Sequence, residues 1–491
     1  MNNNKLTIKQ FIIKYKLSFI LTFLLTFILY GIKLMTYSIS IDTEIIINSY
    51  NEVMNYWLSI NRFTLILLKK FLHLKPFNYY QSISIMIIFF SLSIYYLYYI
   101  IYKYSNDHQP SNLKIILFNF LIISSQIFAE QFNLTLQCAE IAISLFIFDI
   151  GISLYFRYFK TQRKILLIGS ILCFTLCLGC YQTFMNLLIT LLIFYLLINY
   201  SKDQQKKVRR YIVISFITII LTFLLYSIIS KIMIDIQNLT SNNYLLEQIT
   251  WFSKPITYNI IVLIKYMVKV FIGYGIFYSL SYLLSFIIIT INIMKNKQNK
   301  FYILLNILCL LSPFLLSILL GTPEATRAQL TLPIITSLVI IFINSSTKKK
   351  IITLLTILII IIQAYNTLTL LHDDSIRYEE DKKMANDIIK KVGSNIKNKK
   401  IIFVGHKNNN SKLKKGDSLG ASFFNWDVES IYGINIRAIG FMKTLGYKLE
   451  NPTLEEYYLA KKISLEKNLT TYPNNNSIYQ YENLIIIKLS N

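Results

Sequence analysis

Eleven apolar segments constrain the fold of this chain more than any other feature of its sequence. Each approaches the length of about 20 residues that a helix needs to cross the hydrocarbon core of a bilayer. Inside a bilayer the backbone polar groups must bond to one another, so these segments are expected to be helices. They cover residues 17–36, 82–102, 114–130, 134–156, 165–180, 182–199, 211–230, 276–294, 301–320, 329–344 and 351–371. The sequence therefore predicts a polytopic α-helical membrane protein with about eleven transmembrane helices.

The net charge of +25 does not indicate a protein that binds nucleic acid. Lys and Arg are dispersed between the apolar segments, whereas a nucleic-acid-binding surface gathers them on one domain or face. Cytoplasmic loops of membrane proteins are enriched in the same residues. No nucleic-acid partner is expected.

The basic residues also give the chain an orientation. With the N-terminus inside, basic clusters such as 202–210 and 348–350 fall in cytoplasmic loops, as the positive-inside rule requires. Only two acidic residues before residue 372, Asp107 and Asp203, fall in those loops. Eleven crossings place residue 372 on the outer side, and the outer ends of the helices are the predicted place of chemistry.

Two predicted outer loops are long, covering residues 37–81 and 231–275. The first contains amphipathic stretches over Glu44–Ile60 and Phe63–Leu74, which are expected to lie as helices on the outer leaflet. The apolar run within 255–275 is interrupted by lysines and is assigned to the outer side. It could instead cross the membrane, in which case another span is miscounted.

The chain divides into a membrane domain, residues 1–371, and a polar C-terminal domain, residues 372–491. The second part opens with a charged amphipathic helix over Asp373–Val392. Lys400–Val404 and Leu484–Leu489 are apolar runs typical of buried strands. The sequence predicts a small α/β domain outside the cytoplasm.

Two carboxylates, Asp42 and Glu44, follow the first predicted span at the water–lipid boundary. A carboxylate whose pKa is raised by partial burial can act as a general base on a hydroxyl group. The alternative is structural: Asp42 could be the N-cap of a helix that starts near Glu44. Alone, this pattern does not distinguish the two interpretations.

Other polar residues lie at the predicted outer ends of the transmembrane helices, where a helix packed in the membrane is expected to be apolar. Their amides and carboxylates suit sugar hydroxyls, and Arg62, Arg327 and Arg377 are the outer-side arginines up to residue 377. Because a guanidinium binds phosphate oxygens in a planar fork, these three are candidates for a lipid phosphate. The alternative for each residue is ordinary loop capping or a surface ion pair. The remaining candidates are Glu130, Gln131, Glu140, Tyr181, Gln182, Glu324, Asp373 and Asp374.

Several of these segments resemble one known family, the GtrII-type glucosyltransferases. Asp42-Thr43-Glu44 followed by Trp57 and Asn61-Arg62-Phe63 is similar to the start of that family. Further similarity lies in AEQFNLTLQCAE (129–140), GCYQTFMN (179–186), GTPEATRAQLTLP (321–333), HDDSIRYEEDKKMA (372–385) and GASFFNWD (420–427). One departure is Asn61 before Arg62, where the family leads us to expect glycine.

The resemblance implies a GT-C-like fold in a bacterial cytoplasmic (inner) membrane. It implies transfer of a hexose, expected to be glucose, from undecaprenyl phosphate to a surface polysaccharide or lipid-linked glycan on the outer face. Separate proteins would then make and flip the donor, and membrane lipids surround the enzyme.

The resemblance also implies roles for the candidate residues. Asp42 is the general base and Glu44 orients the acceptor or shares that role. Arg62, Arg327 or Arg377 stabilises the leaving phosphate. Trp57 and Tyr181 offer aromatic faces to a sugar or to the polyprenyl chain. The residues expected to contact sugar hydroxyls are Glu130, Gln131, Glu140, Gln182 and Glu324. Because arginines could replace a metal ion, neither a metal nor another cofactor is expected.

Two other classes remain open as alternatives, a lipid-linked oligosaccharide flippase or transporter and a polysaccharide polymerase. Transporters often contain two related halves and broken helices near the midplane. No convincing internal repeat occurs here, and the polar residues gather at the outer ends, with Glu140 and Asp149 as exceptions. A polymerase would share the polar outer loops.

Overall fold

The structure is a computed structural model that describes residues 5–75, 77–105, 109–201, 204–242, 244–296, 299–343, 349–393, 399–408 and 412–490. About 71% of the chain is helical. It forms two compact units. The first comprises the described residues of Met1–Leu34, Met54–Phe132 and Gln137–Leu368, and the second comprises those of Met35–Val53, Asn133–Leu136 and Thr369–Asn491. The boundary predicted at residue 371 stays a prediction.

Helices make up most of the described chain. In the first half of the chain they are α1 (Ile8–Lys14), α2 (Lys16–Tyr30), α3 (Ile32–Met35), α4 (Thr43–Asn48), α5 (Tyr50–Ser59), α6 (Phe63–Phe71), α7 (Tyr79–Tyr104), α8 (Asn112–Ile123), α9 (Gln126–Asn133), α10 (Cys138–Thr161), α11 (Lys164–Cys180), α12 (Phe184–Asn199) and α13 (Gln205–Ile236). The others are α14 (Tyr244–Glu247), α15 (Ile256–Ile272), α16 (Ser281–Lys295), α17 (Lys300–Leu311), α18 (Leu315–Leu320), α19 (Thr331–Leu338), α20 (Lys349–Val392), α21 (Asn435–Thr444) and α22 (Leu454–Glu466). Short 3₁₀ helices lie at Ser312–Phe314 and Thr326–Ala328, and a π-helical turn at Val339–Ile343.

The apolar helices are those of a membrane protein. Within the described ranges, five helical segments are long and apolar enough to cross a bilayer: α7, α10, α13, Lys300–Leu320 and α20. The number rises to seven if two bent pairs each form one span, α1 with α2 at 83° and α8 with α9 at 50°. Helices lie over all eleven predicted segments, but several are short, so the count of eleven stays a prediction.

Close packing holds the first unit together, as in the contact of α10 with α11. Gly151 permits this contact, because a Cβ atom there would come within 2.7 Å of the Phe174 ring. The apolar run left open by the sequence forms α15, which follows Pro255 and ends at Gly273 with a φ of +66°. With 17 residues, α15 is shorter than the five segments long enough to cross a bilayer, and its assignment to the outer side stays a prediction.

The second unit contains a three-stranded sheet, which confirms both predicted strands. Its strands are β1 (Lys400–Val404), β2 (Ile478–Tyr481) and β3 (Leu484–Lys488), in the order β1-β3-β2. β1 pairs with β3 in parallel, and β2 pairs with β3 antiparallel. Helix α22 packs on the sheet, and with Leu469, which follows the helix, their apolar side chains form a core of Ile402, Val404, Ala460, Ile463, Leu484 and Ile486.

Candidate functional site

Asp42 lies in a tight turn of the second unit, just before α4. Its backbone has a φ of 73°, in the left-handed region that residues other than glycine seldom adopt. The Thr43 amide donates to the Ser40 carbonyl at 3.1 Å. The Thr43 hydroxyl lies 3.0 Å from the Ser40 hydroxyl and 3.1 Å from that of Thr135. These contacts hold the turn in its unusual conformation.

Asp42 occupies the N-cap position of α4, but its side chain makes no capping hydrogen bond. The Asp42 carboxylate therefore does not cap α4, so the capping interpretation is wrong, although Asp42 does occupy the predicted N-cap position. A non-glycine residue at positive φ with a carboxylate that does not cap is typical of a functional constraint.

Helix α4 packs directly on α21. Asn48 donates from its side-chain amide to the Gly440 carbonyl at 2.8 Å. A Cβ atom at Gly440 would come within 3.2 Å of Glu44 Cγ, so a larger residue would crowd the two helices. The start of α21 is attached to β1, because the Asn435 side chain accepts from the Phe403 amide at 2.7 Å and donates to its carbonyl at 2.8 Å. The sheet thus sets the position of α21.

Arg437, on α21, contacts three carboxylates of this unit. Its Nη1 atom lies 2.7 Å from Asp42 Oδ1 and 2.9 Å from Glu44 Oε1, and its Nε atom lies 2.5 Å from Asp427 Oδ2. The Asp42 and Asp427 side chains are 43% and 42% exposed, whereas that of Glu44 is 1% exposed. Asp42 can therefore meet a ligand that Glu44 cannot reach. We call these four residues the Arg437 cluster.

The charges of the Arg437 cluster do not balance, because one cation faces three carboxylates. Burial raises the pKa of Glu44 to about 7, Arg437 opposes this rise, and Asp42 adds to it. Burial alone would lower the pKa of Arg437, but its three carboxylate neighbours raise it. Glu44 therefore changes its charge near neutral pH, while Arg437 stays charged.

The predicted residues Asp373, Asp374 and Arg377 lie together in the second unit, on the C-terminal part of α20. Arg377 Nη2 donates to Asp374 Oδ1 at 2.9 Å, and its Nη1 lies 3.5 Å from Asp381 Oδ2. Its side chain is 1% exposed.

The carboxylates of this group also bind the loop that precedes α21. Asp373 accepts from the Lys414 amide at 2.7 Å, and Asp374 from the Gly420 amide at 2.9 Å. Asp381 accepts from the Phe423 amide at 2.9 Å. These contacts attach the loop to α20. The substrate-binding role expected of Asp373, Asp374 and Arg377 stays a prediction.

Five of the predicted residues form a polar cluster in the first unit. The Arg62 guanidinium lies 5.1 Å from the centre of the Tyr181 ring, a cation–π distance. Burial raises the pKa of Tyr181, the positive charges of Arg327 and Arg62 lower it, and Glu324 raises it. Gln182 donates to the Ile60 carbonyl at 3.0 Å. Arg62, Tyr181, Gln182, Glu324 and Arg327 are thus brought together as the sequence pattern suggested.

Among the residues that the structure describes, two groups in this polar cluster are buried without hydrogen-bond partners, namely Arg62 Nε and both carboxylate oxygens of Glu324. Burial raises the pKa of Glu324 well above its ordinary value. A buried donor without a partner is costly, and a bound ligand or water usually satisfies it. This arrangement can offer donors to the oxygens of a phosphate or a sugar.

Trp57 and Glu140 are linked through a lysine that was not among the candidates. Lys69 Nζ lies 2.9 Å from Glu140 Oε1, with both side chains fully buried, and 5.5 Å from the Trp57 ring centre. Glu140 Oε2 and both amide atoms of buried Gln131 lack hydrogen-bond partners. Glu130, on the same helix as Gln131, is also buried.

The sequence interpretation missed Arg437 and Asp427. Asp427 ends the segment GASFFNWD, which was noted only for its resemblance. Arg437 had a weak signal, because residues 372–491 contain only two arginines among many lysines. An arginine in such a lysine-rich segment points to a geometry that lysine cannot supply.

Within the described ranges, no group of three or more His, Cys, Asp or Glu side chains has the arrangement of a metal site. The expectation that the protein uses no metal or other cofactor stays a prediction.

Comparison with known proteins gave one match. The model of the family described as Glucosyl transferase GtrII matches residues 31–344. Searches of curated proteins and of solved structures found no match. The matched range includes Asp42 and Glu44 and ends before Arg377, Asp427 and Arg437.

Proposed function

This chain belongs to the GtrII glucosyltransferase family, and we propose that it moves a hexose, expected to be glucose, from undecaprenyl phosphate to a cell-surface polysaccharide or lipid-linked glycan. The family supports a glycosyltransferase, and the apolar helices support a membrane enzyme. The donor, the acceptor and the outer-face location are the parts that we propose.

The observation that carries this proposal is the Asp42 carboxylate, which is partly exposed and 2.7 Å from Arg437 Nη1. A general base must reach the proton of the acceptor hydroxyl and have a fixed orientation. The acceptor oxygen attacks the anomeric carbon while its proton passes to Asp42. The bond from that carbon to the phosphate oxygen breaks, and the lipid phosphate leaves with the electron pair.

The polar cluster of the first unit supports a phosphate-bearing donor. Arg62 and Arg327 supply positive charge, and guanidinium groups bind phosphate oxygens well. Burial raises the pKa of Glu324, which favours the form of this carboxyl group that can donate to a further oxygen. Trp57 and Tyr181 offer ring faces to sugar or polyprenyl groups. The remaining polar candidates, Glu130, Gln131, Glu140 and Gln182, are assigned to sugar hydroxyls.

The donor class is tested with the full-length protein in lipid vesicles. Radiolabelled glucosyl undecaprenyl phosphate, presented with a glycan acceptor, should give labelled glycan. A nucleotide-linked glucose should give none, because the proposed donor is a lipid phosphate. Transfer from the nucleotide sugar alone would contradict the lipid donor. Movement of the lipid across the vesicle without transfer would favour the flippase, and elongation of the glycan by repeat units would favour the polymerase.

The predicted orientation is tested with reporter fusions. A reporter fused after residue 371 should be active only outside the cytoplasm, with the N-terminus inside and the C-terminal domain outside the bacterial inner membrane. A fusion at Lys16 serves as the inside control. A cytoplasmic signal from the fusion after residue 371 would contradict an outer-face acceptor.

A further inference from the structure

The cation of the Arg437 cluster, Arg437 itself, lies outside the range of residues that matches the family. Asp42 and Glu44 lie within the matched range 31–344, whereas Arg437 and Asp427 lie beyond it. All four belong to the second compact unit. We propose that Arg437 is a positioning residue for sugar transfer, which holds the Asp42 carboxylate in place and joins it to Glu44. This inference rests on the proposed function.

The contacts of Arg437 explain why an arginine is needed. Its Nη1 atom faces Asp42 and Glu44, and its Nε atom faces Asp427. The planar guanidinium fork offers donors in several fixed directions, whereas the ammonium group of lysine is a compact point charge. With a side chain that is only 13% exposed, Arg437 acts through the carboxylates that it contacts.

The fold holds Arg437 at this place independently of any ligand. Asn435, two residues earlier, is bonded to both backbone groups of Phe403 on β1. Gly440, one turn later, lets Glu44 approach α21. A reactive side chain supported in this way keeps its geometry through the reaction. The C-terminal segment therefore supplies the cation that holds the Asp42 carboxylate.

The Arg437 cluster also gives the reaction a pH dependence. The charged groups that face Glu44 are Arg437 on α21 and Asp42 in the preceding turn, and Asp427 acts through Arg437. From the segment 133–136, the Thr135 hydroxyl contacts that of Thr43. Because the pKa of Glu44 is about 7, Glu44 is largely protonated below that pH and ionised above it. An ionised Glu44 competes with Asp42 for the Arg437 donor and leaves the Asp42 carboxylate freer to meet the acceptor hydroxyl, so the rate should rise through about pH 7.

The test compares Arg437→Gln and Arg437→Lys with Lys443→Gln, which removes a cation from the same helix but away from the cluster. Arg437→Gln should lower kcat by about 10²-fold, the size of loss that misplacement by about 1 Å can cause. KM for the lipid donor should change little, because Arg437 contacts protein carboxylates. The pH at which the rate rises should move above 7, because the cation that lowers the pKa of Glu44 is gone. Arg437→Lys should retain the pH profile with an intermediate kcat, and Lys443→Gln should behave as the wild type.

Several results would overturn the inference. One is an Arg437→Gln variant with the kcat and pH profile of Lys443→Gln. Another is an equal loss in both Arg437 variants with no change of pH profile, which indicates a merely structural role. Melting temperatures in detergent identify a variant that fails to fold. In that case Asp427→Asn, which removes only the Nε contact, should lower kcat by a smaller factor, and an unchanged kcat would contradict the inference.

Failure of this inference is distinguishable from failure of the proposed function. If Asp42→Asn loses transfer while the Arg437 variants keep it, only the inference fails. If the wild-type protein transfers no sugar from the lipid donor, the proposed function fails and the inference with it.

Discussion

Replacing Asp42 with asparagine should reduce sugar transfer by about 10²- to 10⁴-fold, the usual contribution of a positioned general base. Asparagine keeps the shape of the side chain but cannot take the proton of the acceptor hydroxyl at neutral pH. The substitution retains an oxygen that can face Arg437, whose other partners, Glu44 and Asp427, remain in place. The variant should therefore insert and fold as the wild type does.

The matched control for Asp42→Asn is Glu52→Gln. Glu52 is an exposed carboxylate on the next helix of the same chain segment, so its neutralisation should leave the rate unchanged. Transfer from a polyprenyl-phosphate donor is measured in vesicles at equal amounts of inserted protein. A wild-type rate for Asp42→Asn would exclude Asp42 as the base. If Glu44→Gln lowers the rate of sugar transfer more than Asp42→Asn does, Glu44 would be the general base, although its side chain is only 1% exposed.

Replacing Arg377 with alanine should destabilise the second unit by about 3–5 kcal/mol, the usual cost of removing one partner from a buried ion pair. Arg377 is almost completely buried between Asp374 and Asp381. Its guanidinium also lies 5.5 Å from the Phe423 ring centre. Alanine would leave two buried carboxylates without their cation and would loosen the loop that they attach to α20.

The control for Arg377→Ala lies on the same helix. Lys382 and Glu379 form an exposed ion pair at 3.6 Å, so Lys382→Ala should cost less than about 1 kcal/mol. Thermal unfolding in detergent, together with limited proteolysis of the C-terminal segment, measures both variants. If Arg377→Ala unfolds at the wild-type temperature but binds the lipid donor poorly, the phosphate role predicted for Arg377 would be correct and its structural role would be minor.

Local sequence patterns predicted the elements of this fold well. Each predicted apolar run contains a helix, because hydrophobicity and length act on a single segment. Lys400–Val404 and Leu484–Leu489 were recognisable as strands from their short apolar runs, and the structure ends the second strand one residue earlier, at Lys488. Bends such as that of 83° between α1 and α2 had no comparable signal, because a bend reflects packing against other helices.

The sequence predicted part of the candidate site, and individual residues show why the rest could not be predicted. Asp42 and Glu44 were recognised from their residue types and their place after an apolar segment. Arg62, Tyr181, Gln182, Glu324 and Arg327 were assigned separately, and the structure brings them together in one unit. Arg377 was given a phosphate role from its residue type, whereas its two buried carboxylate partners are visible only in three dimensions.

What the sequence determined by itself is the membrane character of the chain, two of the three strands in its tail and its membership of a glucosyltransferase family. Only the tertiary structure decided which group faces Asp42. Glu44 and Arg437 are 393 residues apart in the chain, and no periodicity or spacing connects positions so distant. Their contact depends on how α21 lies on the sheet and on how closely α4 can approach Gly440. An ion pair between residues so distant in sequence results from tertiary packing, which depends on the whole unit and not on either segment alone.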